Sequence, residues 1–135
     1  MAGYSDILQE HFKNPRNVGE MEDADGVGRV GDPTCGDYVV IWIKVRDEHI
    51  SEIKFKCLGC PAAIGTTSIF CEMVRGMHVD RAAELSDEVL EEAAGGLPEE
   101  KRHCSNLAPG ALYDAIVNYV TREVAKSART GGGKV

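Results

Sequence analysis

Three cysteines, one histidine and one aspartate stand in three short stretches whose composition favours ligation over packing. Cys35 and Asp37 lie in Gly-Asp-Pro-Thr-Cys-Gly-Asp, Cys60 lies in Leu-Gly-Cys-Pro-Ala-Ala, and His103 precedes Cys104 and Ser105 directly. Thiolates select iron–sulfur clusters and zinc, whereas a carboxylate oxygen in the same set is a harder and more exchangeable ligand. A site of three thiolates with Asp37 or His103 as the weaker partner is suited to passing its metal on. Taken singly, each residue has an ordinary reading. A lone cysteine is usually a small buried apolar residue, a lone aspartate beside glycine caps a turn, and a lone loop histidine is solvated. Taken together, the three cysteines sit where core packing is least natural, and that reverses the ordinary reading.

The elements that must position them follow from pattern. Residues 4–13 read as a short helix with Ser5 as N-cap, ended by Asn14-Pro15. Residues 27–30 make a short first strand. In 38–46, Val39, Ile41, Ile43 and Val45 alternate with Val40, Trp42, Lys44 and Arg46, the period of a half-buried strand. Asp47-Glu48 turns the chain into a partner strand over 50–57, with Ile53, Phe55 and Cys57 on one face. Pro61 then opens a helix over 62–75, stopped by Gly76. Ser86 caps a short acidic helix, and the last helix starts near Ser105 or Asn106, with Pro109 in its first turn. Leu112, Ala115, Ile116 and Tyr119 form its apolar face, broadened by Val120 and Val124. Strands first and helices afterwards give an α+β fold: a small three-stranded antiparallel sheet with helices on one face, a short N-terminal helix and a long C-terminal one. The single domain spans residues 1–126, and residues 127–135 form a flexible tail.

On this scheme Cys35 lies in the turn between the first two strands, with Asp37 on its face. Cys60 stands at a helix N-terminus, where unpaired amides favour a thiolate, and Cys104 is expected in the same setting. Cys57 forms a C-x-x-C with Cys60, but its strand belongs to a hairpin and its parity points it inward, so it reads as core or as a neighbour of the site. Cys71 reads as structural, and His11, His49 and His78 as surface residues without clustered partners.

Composition narrows the function. The 15 Lys and Arg against 22 Asp and Glu leave a net charge of −7, which argues against a nucleic-acid or anionic-membrane surface. No run has the length of a membrane span and the first residues have no secretory pattern, which points to the cytoplasm, where thiols stay reduced. Five cysteines, an odd number, suit metal ligation or free thiols better than paired disulfides.

The chain resembles the IscU/NifU-type iron–sulfur cluster assembly scaffolds across residues 3–126. The resemblance rests on Asn14-Pro15-Arg16-Asn17-Val18-Gly19, Cys35-Gly36-Asp37, Gly59-Cys60 followed by Ala62-Ala63-Ile64, and His103-Cys104-Ser105, in that order. It implies a scaffold and carrier, not an enzyme in its own right. Such proteins take persulfide sulfur from a cysteine desulfurase, combine it with ferrous iron into a transient 2Fe–2S cluster, and release the cluster to recipient apoproteins such as ferredoxins. Zinc is an alternative occupant of the cluster-free site. The resemblance implies Cys35, Cys60 and Cys104 as thiolate ligands, Asp37 or His103 in the fourth position, Cys104 as persulfide acceptor and Asp37 as the labile ligand. A homodimer sharing clusters stays open. Many members carry Leu-Pro-Pro-Val-Lys, held by an Hsp70-type chaperone, where this chain has Leu97-Pro98-Glu99-Glu100-Lys101, and the two acids speak against that partner. Cys57 stands where many members have a small hydroxyl residue. The alternative is a zinc-dependent sulfur-transfer protein of SufU type, whose members carry an insertion before the last cysteine and lack the preceding histidine.

Overall fold

The computed structural model describes residues 3–31 and 37–131. The chain runs α1 (Asp6–Lys13), β1 (Gly26–Gly31), β2 (Tyr38–Arg46), β3 (His49–Leu58), α2 (Pro61–Val74), α3 (Val79–Ala83), α4 (Asp87–Ala93), a 3-10 helix (Glu99–Asn106) and α5 (Leu107–Gly131). The strands form one antiparallel sheet in the order β1-β2-β3. This is the expected α+β arrangement, with α2 and α5 packed against the sheet.

Local chemistry explains most of the boundaries. Ser5 caps α1, its hydroxyl accepting the Leu8 N–H at 3.0 Å, and Ser86 caps α4 in the same way through Val89. Between β2 and β3 the chain turns at Asp47 and Glu48, both at positive φ (52° and 63°), the tight hairpin geometry that matches strand twist. The β2–β3 register shifts between Lys44 and Val45, so Arg46 pairs with His49 at the turn while Val39 pairs with Cys57 at the far end. That bulge puts Val39, Ile41, Ile43, Ile53 and Phe55 on the buried face and keeps Cys57 among them.

The segment after α1 closes the outer edge of β3. Phe55 N–H donates to the Asn17 carbonyl at 2.8 Å and Gly19 N–H donates to the Phe55 carbonyl at 2.9 Å, with Val18 bridging in parallel between them. The free edge of the sheet is thereby paired where the Asn-Pro-Arg-Asn-Val-Gly stretch passes.

Helix α5 lies close on β1 because β1 has no side chains beneath it at two points. A Cβ on Gly28 would fall 2.0 Å from the Ala111 carbonyl oxygen, and one on Gly26 would fall 2.3 Å from that of Ala115. The buried face of α5 is Leu107, Ala108, Ala111, Leu112, Ala115 and Ile116.

Several expectations change. Val120 and Val124 do not join the apolar contact: they are 48% and 63% exposed, because α5 runs on past Gly26, where β1 begins. The helix continues to Gly131, through most of the segment expected as a tail, and residues 132–135 lie outside the described residues. Helical structure before α5 begins at Glu99, six residues ahead of Ser105, and Val79–Ala83 adds a helical turn that pattern did not indicate.

Candidate metal centre

The end of β3 and the start of α2 bring two of the five expected ligands together. Cys60 is the N-cap residue of α2, in extended conformation, with Pro61 in the first turn and no hydrogen bond from its own side chain to the helix amides. In its place the carboxylate of Asp37 serves the helix start: Asp37 Oδ1 accepts the Cys60 backbone N–H at 3.3 Å. Asp37 can reach because it immediately precedes Tyr38, which pairs with Leu58 in the sheet. A carboxylate at the N-terminus of a 14-residue helix also lies at the positive end of its dipole.

Cys35 lies outside the described residues, and for His103, Cys104 and Ser105 the description covers the backbone alone. That backbone forms the later part of the 3-10 helix, which packs against α2, α4 and α5. Cys104 is therefore not at a helix start as expected; the first amides of this helical run belong to Glu99 and its neighbours. Among the described residues no group of three or more His, Cys, Asp or Glu side chains is arranged to hold a metal ion.

Cys57 behaves as its strand parity predicts. It is half-buried against the core and is hydrogen-bonded to Thr67 of α2, itself fully buried. Burial first, then the nearby Asp37 and Cys60, push its thiol up to about 12. Cys71 is completely buried in α2, which pushes its thiol up as well, so the structural reading of that residue holds. Both are protonated near neutral pH, and a protonated thiol is neither a nucleophile nor a ready ligand.

Beside Cys57 the outer surface of the sheet carries a groove of about 480 Å³, lined by Val18, Tyr38, Val40, Lys56, Cys57 and Leu58. Leu58 and Val18 are 61% and 50% exposed on its rim. The residues before Cys60 thus leave an apolar surface at the end of β3, a feature that alternation alone did not indicate because Leu58 falls at a strand end.

The histidines are not the isolated surface residues expected. His11 Nδ1 is hydrogen-bonded to Ser68 Oγ at 2.8 Å, and the same hydroxyl accepts the Arg16 N–H at 2.9 Å. Ser68 is fully buried, and the contact ties α1 and the segment after it to α2. His49 and His78 meet edge to face with ring centroids 5.3 Å apart, and His78 caps α3 by accepting the Asp80 N–H on its Nδ1. None of these three rings is near enough to the Asp37–Cys60 contact to form a ligand group with it.

The family model of the NifU-like N terminal domain matches residues 3–126 of the chain. The chain belongs to this family. Among curated relatives of this NifU-like domain, the iron–sulfur cluster assembly scaffold protein IscU 1 of Archaeoglobus fulgidus is 54% identical over 116 residues, 86% of this chain and 76% of that protein. Among solved structures, a nitrogen-fixing NifU-like protein (N-terminal) from Brucella abortus superposes with a TM-score of 0.69 at 20% identity, over 87% of this chain and 94% of that one. A protein of Fervidobacterium islandicum AW-1, described as an iron–sulfur cluster assembly scaffold for the SUF system, gives 0.65 at 20% identity, over 84% and 96%. At that identity the two structures establish the shared fold alone. No helix among the described residues is long and apolar enough to cross a membrane.

Proposed function

We propose that this NifU-like domain is a scaffold on which a 2Fe–2S cluster is built from ferrous iron and persulfide sulfur, with two further electrons from an external reductant to bring the sulfur to sulfide, and from which the cluster passes to recipient apoproteins such as ferredoxins. The observation that carries the reading is the Asp37–Cys60 contact. It brings a carboxylate from the start of β2 to the backbone amide of the cysteine that opens α2, in a chain related to IscU scaffold proteins at 54% identity. Cys35 and Cys104 complete the thiolate set, and Asp37 or His103 takes the fourth position. Cys104 accepts sulfur from a cysteine desulfurase: its thiolate attacks the outer sulfur of the donor's persulfide, a new S–S bond forms, and the desulfurase thiolate leaves. Iron and sulfide are cargo in this scheme, zinc is a competing occupant of the same nitrogen and sulfur donors, and the chain works in the cytoplasm.

Anaerobic reconstitution with ferrous iron, cysteine, a cysteine desulfurase and a thiol reductant, followed by visible absorption and timed transfer to an apo-ferredoxin, tests the reading. Cluster colour that develops and then moves to the ferredoxin is the expected result. A chain that keeps zinc, takes up persulfide and never gains colour overturns it and favours the zinc-dependent sulfur-transfer alternative of SufU type.

A further inference from the structure

We infer that Gly59 is a positioning residue for cluster release, because it leaves room for the Asp37 carboxylate to rest on the Cys60 backbone N–H when it is not on iron. The inference rests on the scaffold reading above, in which Asp37 is the labile ligand.

A Cβ on Gly59 would stand 2.6 Å from Asp37 Oδ1, the same oxygen that accepts the Cys60 N–H, and 3.4 Å from Asp37 Cγ. The approach to Oδ1 is closer than non-bonded atoms tolerate, so a side chain at position 59 shifts the mobile carboxylate away from an amide it reaches only at 3.3 Å. Gly59 is not at a positive φ, so its backbone conformation alone does not demand glycine. The steric demand comes from the carboxylate.

The Cys60 amide is the fixed donor at the start of a rigid helix and lies next to the thiol that would hold the cluster. A carboxylate leaving iron therefore needs no reorganisation to find a partner. The iron–oxygen bond breaks, the N–H···O hydrogen bond forms, and neither a proton nor an electron changes hands. The vacated position on iron is open to a thiolate of the recipient. Without the amide as an alternative the departing carboxylate would be left to water, and departure would be slower.

The test compares the full-length chain with Gly59→Ala, Asp37→Ala and the double variant, each reconstituted as above and timed for transfer to apo-ferredoxin. Gly59→Ala should slow release roughly tenfold, the loss expected for one hydrogen bond to an ionised carboxylate. In the Asp37→Ala background the same change should add no tenfold slowing, since the oxygen it displaces is gone, and the tight 3.2 Å approach to Ala63 Cβ that remains is common to both backgrounds. A release rate equal to that of the parent chain, or equal effects of Gly59→Ala with and without Asp37, overturns the inference while leaving the scaffold reading intact. A parent chain that never gains cluster overturns the scaffold reading itself. Should Gly59→Ala fail to fold, the Cys60 amide proton shift in metal-free protein decides: Asp37→Ala should move it upfield, and an unchanged shift overturns the inference.

Discussion

Gly28 in β1 lies directly beneath the carbonyl of Ala111 in α5, so close that a Cβ on the glycine would be 2.0 Å from that oxygen. The helix descends onto bare backbone here, and both partners are at fixed positions, one in a paired strand and one inside a helix. Neither can yield as a flexible side chain would. Gly28→Ala should therefore lower stability by about 1–3 kcal/mol, the range for forced overpacking, and Gly28→Val by more. Urea unfolding would measure both. A Gly28→Val variant with the parent midpoint would mean that α5 does not need this approach.

Asp37 offers a different kind of test, one of kinetics. If its carboxylate is the exchangeable ligand, replacing it with an inert side chain leaves the three thiolates and removes the easy route off the metal. Asp37→Ala should give a reconstituted cluster that survives several-fold longer and transfers more slowly, followed by visible absorption with and without apo-ferredoxin. Faster loss than in the parent chain would sink the labile-ligand assignment. The variant also loses the acceptor for the Cys60 amide at the start of α2, so a modest fall in thermal midpoint should accompany it.

What could be read from residues alone depended on whether the signal was local. The alternation of Val39, Ile41 and Ile43, the Ser5 and Ser86 caps, and Pro61 behind Cys60 are decided within a few residues, and the structure keeps them. The Glu99–Asn106 helix carries Glu-Glu-Lys-Arg-His, with no apolar period to read; its packing on α2, α4 and α5 holds it. The α3 turn is capped by His78, outside the usual set of capping residues. His11 meets Ser68 only because Gly65 lets Leu8 of α1 settle onto α2, a contact between elements that no spacing rule encodes. For the candidate site, residue types and motif order named the candidate ligands, but the Asp37–Cys60 contact depends on a bulge at Lys44 and Val45. Counting pairs outward from the turn without that bulge would set Tyr38 opposite Cys57, where the sheet sets it opposite Leu58.

The three described cysteines should separate cleanly under alkylation. Cys71 is fully enclosed, while Cys57 is half-buried with a thiol pushed up to about 12. At pH 8 only about one Cys57 in ten thousand would be a thiolate, the form that reacts. Iodoacetamide on the reduced, metal-free protein should modify Cys60, partly buried at its helix start, well before Cys57, whose thiol is hydrogen-bonded to Thr67, with Cys71 protected until unfolding. Peptide mass mapping over time reads the order. Cys57 labelled as fast as Cys60 would show that it faces the site, not Thr67, and would make it a candidate ligand.

His11 should leave a signature in the pH dependence of stability. Burial first, and then the neighbouring Arg16, hold its pKa below the ordinary value of 6.5 in the folded protein, with Glu72 and Glu10 opposing. Above pH 6.5 both folded and unfolded chains carry the neutral ring, and His11 adds no slope. As pH falls through 6.5 the unfolded chain takes up a proton that the folded chain resists, so the unfolded state gains and stability declines. The decline continues until the lower folded pKa is passed. His11→Gln removes the titration, so the drop in urea midpoint between pH 7.5 and pH 5.5 should be smaller in the variant than in the parent. An identical drop in both would assign the acid sensitivity to other groups, and would mean that the ring on Ser68 accepts a proton as readily folded as unfolded.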